Sequence, residues 1–175
     1  MVASSGKRWQ IKPKNRQNMP LTKNSYNYSV DHKGRVSLPS KYRKTNSSTL
    51  CDIYMITVGL EGCLAVYSMD QWDNFIGKLK RLRSNKKDIR RYLRIIFSNA
   101  TESQLDKQGR MSISQELLAD AKIEKEVRII KLPDRIELWN PELFKKYEKG
   151  GEGERPIEEI VEEIEDWNDL PQTGI

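Results

Sequence analysis

An internal duplication constrains the fold of this chain more than any other feature of its sequence. Residues 30–38 read VDHKGRVSL and residues 105–113 read LDKQGRMSI, with four of nine positions identical and three more apolar in both copies. Two further pairs of segments align downstream, namely 53–58 with 127–132 at an offset of 74 residues and 63–67 with 135–139 at an offset of 72. A unit that occurs only twice predicts two small βαββα-like domains rather than a solenoid.

Each copy of the DxxGR motif is typical of a tight turn that leads into a strand. Asp31 and Gly34, like Asp106 and Gly109, take the first and fourth positions of a predicted type I turn. Asp accepts backbone N–H groups at such a turn, and Gly tolerates the exit geometry. Side chains alternate along a strand, so the arginine and serine that follow lie on one face and the apolar residues on the other. The arginine of each motif is therefore predicted to point away from the core.

Capping and turn residues predict the remaining elements. The predicted helix starts are Pro39–Ser40, Ser68, Ser114 and Asn140, and the predicted hairpin turns lie at 59–62 and at Pro133–Asp134. Between the copies, residues 78–94 hold nine basic residues and one acid, and apolar residues recur there at helical spacing. This pattern predicts a basic helical connector. Trp72 and Trp139 are predicted to pack in the core.

Composition and charge narrow the class of function. The chain has one histidine and two cysteines, too few for histidine-dependent catalytic sites or a cysteine zinc site. It has neither a phosphate-binding glycine loop nor an apolar run long enough to span a membrane. The formal net charge is +6, and residues 1–26 hold six basic residues and no acid. A basic chain of this kind suggests a polyanionic partner, of which nucleic acid is the obvious one.

The paired motifs resemble those of a known family. VDHKGRVSLPSKYR, GLEGCLAVY, RRYLRIIFSNATESQLDKQGRMSI and DRIELW occur in this order over residues 26–149 and are similar to the MraZ family of bacterial transcriptional regulators. The resemblance implies an α+β fold with two tandem AbrB-like swapped-hairpin half-barrels, which form a pseudo-dimer within one chain and are joined by connecting helices. It also implies ring-shaped homo-oligomers that bind repeated G-rich boxes upstream of the division and cell-wall gene cluster, usually as repressors.

The resemblance and the composition together predict five segments. They are a basic disordered N-terminal extension at 1–25, a first AbrB-like repeat at 26–77, a basic helical connector at 78–100, a second repeat at 101–149 and an acidic tail at 150–175. The tail holds apolar residues at helical spacing opposite an acidic face, which predicts a short amphipathic helix.

The family's DxxxR DNA-binding motif matches this sequence at two places. The resemblance therefore implies that the DNA-binding residues are Arg35, Arg110, Asp31, Asp106, Lys33, Lys107, Gly34 and Gly109. Possible phosphate contacts are His32, Lys87, Arg90 and Arg91. An aspartate that caps the turn can also orient the arginine four residues later, so its structural and functional roles are compatible.

Two other functions remain open at this point. One is a metal-dependent nuclease, since Asp31 and Lys33 match the D-x-K fragment of some of these enzymes. Gln108 replaces the lysine in the second copy, so the repeated feature is the turn with its arginine rather than this fragment. An AbrB-type antitoxin is the other alternative, although such antitoxins generally supply one copy of the unit per chain. We expect a non-enzymatic, cytoplasmic and nucleoid-associated protein that binds double-stranded DNA. We expect no metal, cofactor, small-molecule substrate or membrane association.

Overall fold

The computed structural model describes residues 25–43, 53–82 and 85–150, in which strands and helices follow the order of the two sequence repeats. The strands are β1 (Ser25–Ser29), β2 (Arg35–Ser37), β3 (Ile53–Val58), β4 (Leu64–Ser68), β5 (Thr101–Gln104), β6 (Arg110–Ser112), β7 (Glu126–Lys131) and β8 (Ile136–Trp139). The helices are α1 (Met69–Lys80), α2 (Lys87–Ser98), α3 (Gln115–Asp120) and α4 (Pro141–Glu148), with a 3₁₀ turn at Ser40–Tyr42. The predicted α+β class is confirmed. Each unit also begins with a strand, β1 or β5, that the repeat pattern did not predict.

The two units exchange strands. A six-stranded antiparallel sheet has the order β1-β7-β8-β4-β3-β5, and β2 pairs with β6 in a second, two-stranded sheet. β1 of the first unit therefore extends the β7–β8 hairpin of the second unit, while β5 of the second extends the β3–β4 hairpin of the first. Neither unit completes its sheet without the other, as expected for tandem swapped-hairpin repeats within one chain.

Strand register reveals a pseudo-twofold axis between the units. In the two-stranded sheet, which we call the ribbon, Val36 lies opposite Met111, and these two residues occupy equivalent positions in the two repeats. At the centre of the large sheet, Ala65 of β4 lies opposite its own counterpart, Glu137 of β8. The axis therefore passes through both sheets and relates the first DxxGR turn to the second.

The pairing also corrects the alignment of β3 with β7. Ile56 pairs with Val66 in the first hairpin, and Ile129 pairs with Leu138, the counterpart of Val66, in the second. The structural offset of these strands is therefore 73 residues, so the alignment at 74 is wrong by one position. Because strand side chains alternate between faces, a shift of one residue exchanges the buried and exposed sets. Burial of Ile56 and Ile129 fixes the register.

The predicted helix starts are confirmed, and those of α1, α3 and α4 have side-chain caps. The Gln71 side chain accepts a hydrogen bond of 3.0 Å from the Ser68 N–H at the start of α1. Asn140 Oδ1 accepts from two N–H groups in the first turn of α4, at 2.8 and 3.0 Å. Ser114 Oγ accepts from Leu117 at the start of α3. After Pro39 the helix is a single 3₁₀ turn, which ends at Tyr42.

The large sheet has a separate core on each face. Leu64 and Val66 of β4 pack into the main core, which also contains Val36 and Met111 from the ribbon. Ala65 and Tyr67, which alternate with them, belong to a second core with residues of α1 and α2. The ribbon and the connector helices therefore lie on opposite faces of the large sheet.

Burial and aromatic contacts confirm that both tryptophans pack in the interior. Trp72 lies 5.7 Å from Tyr67 and 5.6 Å from Phe75, measured between ring centroids. Trp139 lies 5.3 Å from Phe144 on α4. Within the described ranges, no helix has the length and apolar character needed to cross a bilayer.

Candidate nucleic-acid interface

The first DxxGR motif forms a turn that its aspartate holds closed. The Gly34 N–H donates to the Asp31 carbonyl at 2.9 Å, and Asp31 Oδ1 accepts from the N–H groups of Lys33 and Arg35, both at 2.9 Å. Gly34 has a φ of +72°, in the left-handed region where glycine avoids the steric cost of a side chain. The predicted capping role of Asp31 is thus present in the structure.

The second motif repeats this geometry closely. The Gly109 N–H donates to the Asp106 carbonyl at 2.8 Å, and Asp106 Oδ1 accepts from Gln108 and Arg110, both at 2.9 Å. Gly109 has a φ of +74°. Two turns of one conformation therefore stand on either side of the pseudo-twofold axis.

In both turns the second carboxylate oxygen holds the arginine side chain. Nε of Arg35 donates to Asp31 Oδ2 at 2.7 Å, and Nε of Arg110 donates to Asp106 Oδ2 at the same distance. The side-chain hydrogen bond from Arg35, joined by backbone N–H donors, holds the pKa of Asp31 well below its usual value. Backbone hydrogen bonding by Arg110 has the largest lowering effect on the pKa of Asp106. Because both pKa values are lowered, these pairs stabilise the folded turns at neutral pH, and this stabilisation is lost as the pH falls from the ordinary pKa of aspartate through the lowered one.

The two arginines lie on the same outer face of the ribbon. Val36 and Met111 are each 2% exposed and point into the main core. By strand alternation, the flanking Arg35 and Arg110 lie on the opposite face, as predicted. Arg35 pairs with Ser112 in the register, so the two arginines are diagonal neighbours with Cα atoms about 7–8 Å apart.

Each turn is also tied to the other unit. The Gly34 carbonyl accepts a hydrogen bond from the Ile113 N–H, and the Gly109 carbonyl accepts one from the Leu38 N–H, both at 3.0 Å. A Cβ on Gly34 would lie 2.7 Å from the Ile113 carbonyl oxygen and 3.1 Å from a methyl group of Leu118. The backbone of this turn is therefore packed too closely for any side chain.

We expect Gly34→Ala to destabilise the protein much more than Gly62→Ala. Gly62 also has a positive φ, +86°, but a Cβ there would contact nothing within 4 Å. Gly62→Ala should cost only backbone strain, about 1–2 kcal/mol. Gly34→Ala should add an overpacking cost of about 1–3 kcal/mol. Urea unfolding curves of both variants would measure the difference, and equal midpoints would contradict the close packing inferred for this turn.

Comparison with known proteins identifies the family. Residues 21–95 and 96–162 each match the family model described as "MraZ protein" with the qualifier "antitoxin-like". The chain belongs to the MraZ family. It is 40% identical over 143 residues to the transcriptional regulator MraZ of Caldanaerobacter subterraneus subsp. tengcongensis, which covers 82% of this chain and 96% of the relative.

Other MraZ relatives show a comparable similarity. The transcriptional regulator MraZ of Alkaliphilus metalliredigens is 44% identical over 122 residues, covering 70% of this chain and 82% of the relative. That of Thermoanaerobacter sp. strain X514 is 39% identical over 143 residues, with coverages of 82% and 96%. The two MraZ-matching segments meet within α2. The family match therefore divides the chain into the same two repeats that exchange strands in the structure.

The structure brings most of the predicted site residues of this MraZ chain together at the ribbon. His32, Lys33 and Lys107 are exposed at the tips of the turns, while Gly34 and Gly109 are buried beneath them. Across the described ranges, no group of three or more His, Cys, Asp or Glu side chains is placed to hold a metal ion.

The connector residues named as possible phosphate contacts lie elsewhere. Lys87, Arg90 and Arg91 are exposed on α2, which packs on the face of the large sheet opposite the ribbon. Arg90 donates a hydrogen bond of 2.7 Å to the Asn85 carbonyl. A duplex docked on the ribbon would not reach these side chains, so their contact with phosphate stays a prediction that requires a separate stretch of DNA.

Sequence reasoning missed one cation at the MraZ ribbon. The Arg43 guanidinium lies directly against Gly109 of the second turn, and its Nε donates to the Leu38 carbonyl at 2.9 Å. Arg43 is far from Gly109 along the chain, and only the exchange of strands brings them together. Nothing in the spacing of either repeat signals this contact.

Proposed function

We propose that this MraZ-family protein is a sequence-specific DNA-binding regulator that represses the division and cell-wall gene cluster through repeated G-rich promoter boxes. The relatives named above are transcriptional regulators, which supports the general class. The observation that supports this function most is the pair of aspartate-held guanidinium groups on one outer face of the ribbon. We also place the protein in the cytoplasm, associated with the nucleoid.

The ribbon has the shape and chemistry to read guanine. A two-stranded β-ribbon fits the major groove of B-DNA, where guanine presents the O6 and N7 acceptors that arginine binds in a bidentate pair. Asp31 Oδ2 holds both Nε and Nη2 of Arg35, and Asp106 Oδ2 holds Nε of Arg110. Both guanidinium groups are therefore oriented before DNA arrives. Orientation in advance reduces the entropy lost on binding. Exposed Lys33, Lys107 and His32 would contact the flanking phosphates.

Footprinting on the protein's own upstream region tests this proposal directly. Hydroxyl-radical cleavage of that duplex should show protection over repeated G-rich boxes. Replacing the guanines of one box by 7-deazaguanine removes the N7 acceptor and should weaken binding to that box, while the same replacement outside the boxes should have no effect. Uniform protection along the duplex, or no sensitivity to 7-deazaguanine, would contradict guanine reading.

We expect the full chain to assemble into a ring-shaped homo-oligomer and to prefer tandem boxes strongly. α2 exposes Ile95 and Phe97 at 40% and 49%, more apolar surface than the single chain covers. Linkage of sites in a ring raises the effective concentration at the next box and can increase avidity about 10²–10⁴-fold. Light scattering gives the assembled mass, and binding titrations compare duplexes with one box and with several. A single species near the 20.4 kDa chain mass would contradict the assembly.

An antitoxin role is the second candidate, and the qualifier in the family description favours it. Such a protein would bind a small toxin through one of its tails and DNA through the ribbon. Copurification with a tagged toxin encoded beside this gene, lost when residues 151–175 are removed, would support the role. The nuclease alternative is less favoured because both carboxylate oxygens of Asp31 accept hydrogen bonds within its own turn.

A further inference from the structure

The surroundings of the two DxxGR turns differ although the turns have the same conformation. The atoms nearest to a Cβ built on Gly34 belong to Ile113, Gln115 and Leu118, whereas those nearest to Gly109 all belong to the Arg43 guanidinium. At the offset of 75 residues, Arg43 corresponds to Leu118. One turn therefore has an arginine where the other has a leucine.

Local structure explains this break in symmetry. Leu118 lies within α3 and is buried, at 4% exposure. In the first repeat the equivalent helix is only the 3₁₀ turn that ends at Tyr42, and the next residue, Arg43, has an extended backbone with φ of −76° and ψ of 138°. The side chain of Arg43 thus leaves the helix axis and crosses to the turn of the other unit.

The Arg43 side chain is held by a neutral carbonyl group, so its positive charge is not neutralised by the group that anchors it. Its Nε donates to the Leu38 carbonyl, and the Leu38 N–H in turn donates to the Gly109 carbonyl. Arg35 and Arg110 each have an aspartate partner. Within the described ranges, by contrast, no carboxylate forms an ion pair with Arg43. The second turn therefore has one more uncompensated positive charge than the first.

We propose that Arg43 is a third DNA-contacting arginine, which binds a backbone phosphate beside the second turn only. The inference rests on the proposed function, since it assumes that DNA docks on the ribbon. The two turns would then bind the two halves of a box with unequal contacts. The extra phosphate contact would fix the direction in which each repeat pair lies on the DNA.

Salt dependence of DNA binding by the full chain tests this role. Arg43→Leu supplies the residue of the counterpart position, and Arg43→Gln removes the charge but keeps a donor for the Leu38 carbonyl. Each lost phosphate contact lowers the magnitude of the salt slope by about 0.9. For each DNA-bound chain, the affinity deficit of either variant should therefore shrink about 3.5-fold between 50 and 200 mM KCl. Arg43→Lys keeps the charge and should keep the slope. Lys145→Leu is the control. Lys145 is exposed on α4, so its substitution removes one charge far from the ribbon and should leave the salt slope unchanged.

Phosphate ethylation interference locates the contact. The wild type should show one interfering phosphate beside the second-turn half of each box that Arg43→Gln no longer shows. Circular dichroism and urea unfolding test whether each variant is folded. If Arg43→Leu does not fold, the salt slope of Arg43→Gln alone decides whether Arg43 contacts phosphate. If Arg43→Gln binds DNA with the affinity, salt slope and ethylation pattern of the wild type, the role of Arg43 is overturned and the proposed function stays intact. A wild type that does not bind its upstream DNA would overturn the proposed function itself.

Discussion

The double substitution Arg35→Lys, Arg110→Lys is expected to abolish the proposed preference for G-rich boxes while leaving non-specific DNA binding largely intact. Lysine keeps the positive charge but loses the planar fork that pairs with guanine O6 and N7. Each bidentate pair discriminates by about 1–3 kcal/mol, so two pairs should account for about 2–6 kcal/mol of specificity per chain. Competition binding with box and scrambled duplexes measures the ratio of the two affinities, which should approach one.

Arg91→Ala provides the contrast for this experiment. Its side chain is exposed on α2, away from the ribbon. Loss of any phosphate contact made by Arg91 should weaken binding to box and scrambled DNA alike, because phosphate contacts carry no sequence information. Circular dichroism must show that the double lysine variant is folded. If the folded double variant keeps its full preference for the boxes, the two arginines only stabilise their turns, and the site assignment is wrong.

Leu64→Ala is expected to lower the free energy of unfolding by about 2–5 kcal/mol, the range for buried leucines truncated to alanine. Leu64 is 0% exposed, and it pairs with Leu138 in the register that joins the hairpins of the two units. A cavity there would open at the junction between the repeats. Because the units exchange strands, we expect both to unfold together in one transition, measured by urea denaturation with circular dichroism and tryptophan fluorescence.

Leu60→Ala is the matched control, since Leu60 has the same side chain in the turn of the same hairpin but is 59% exposed. Surface substitutions of this kind usually change stability by less than about 0.5 kcal/mol. Equal losses for Leu60→Ala and Leu64→Ala would contradict the placement of the core. Two separate transitions in Leu64→Ala would contradict the mutual dependence of the units.

The sequence predicted the features that depend on neighbouring residues. Asp31 and Gly34 specify a turn because their chemistry acts within four residues, and the strand that follows alternates with a period of two. The starts of α1 and α4 were predictable for the same reason, since a capping side chain reaches only the first turn of its own helix. The family resemblance added the strand exchange as an expectation, which the pairing of β1 with β7 then confirmed.

Tertiary structure alone decided how these local parts meet. β1 and β5 lack the aliphatic residues that mark the other strands, and they become strands because an edge of the other unit's hairpin offers hydrogen bonds. The one-residue correction of β7 depends on which face is buried, a property of the assembled sheet. The same packing places the basic residues of α2 behind the sheet and brings Arg43 to Gly109. Such contacts join residues far apart in the chain, and they form only after the strands have exchanged, so no local periodicity encodes them.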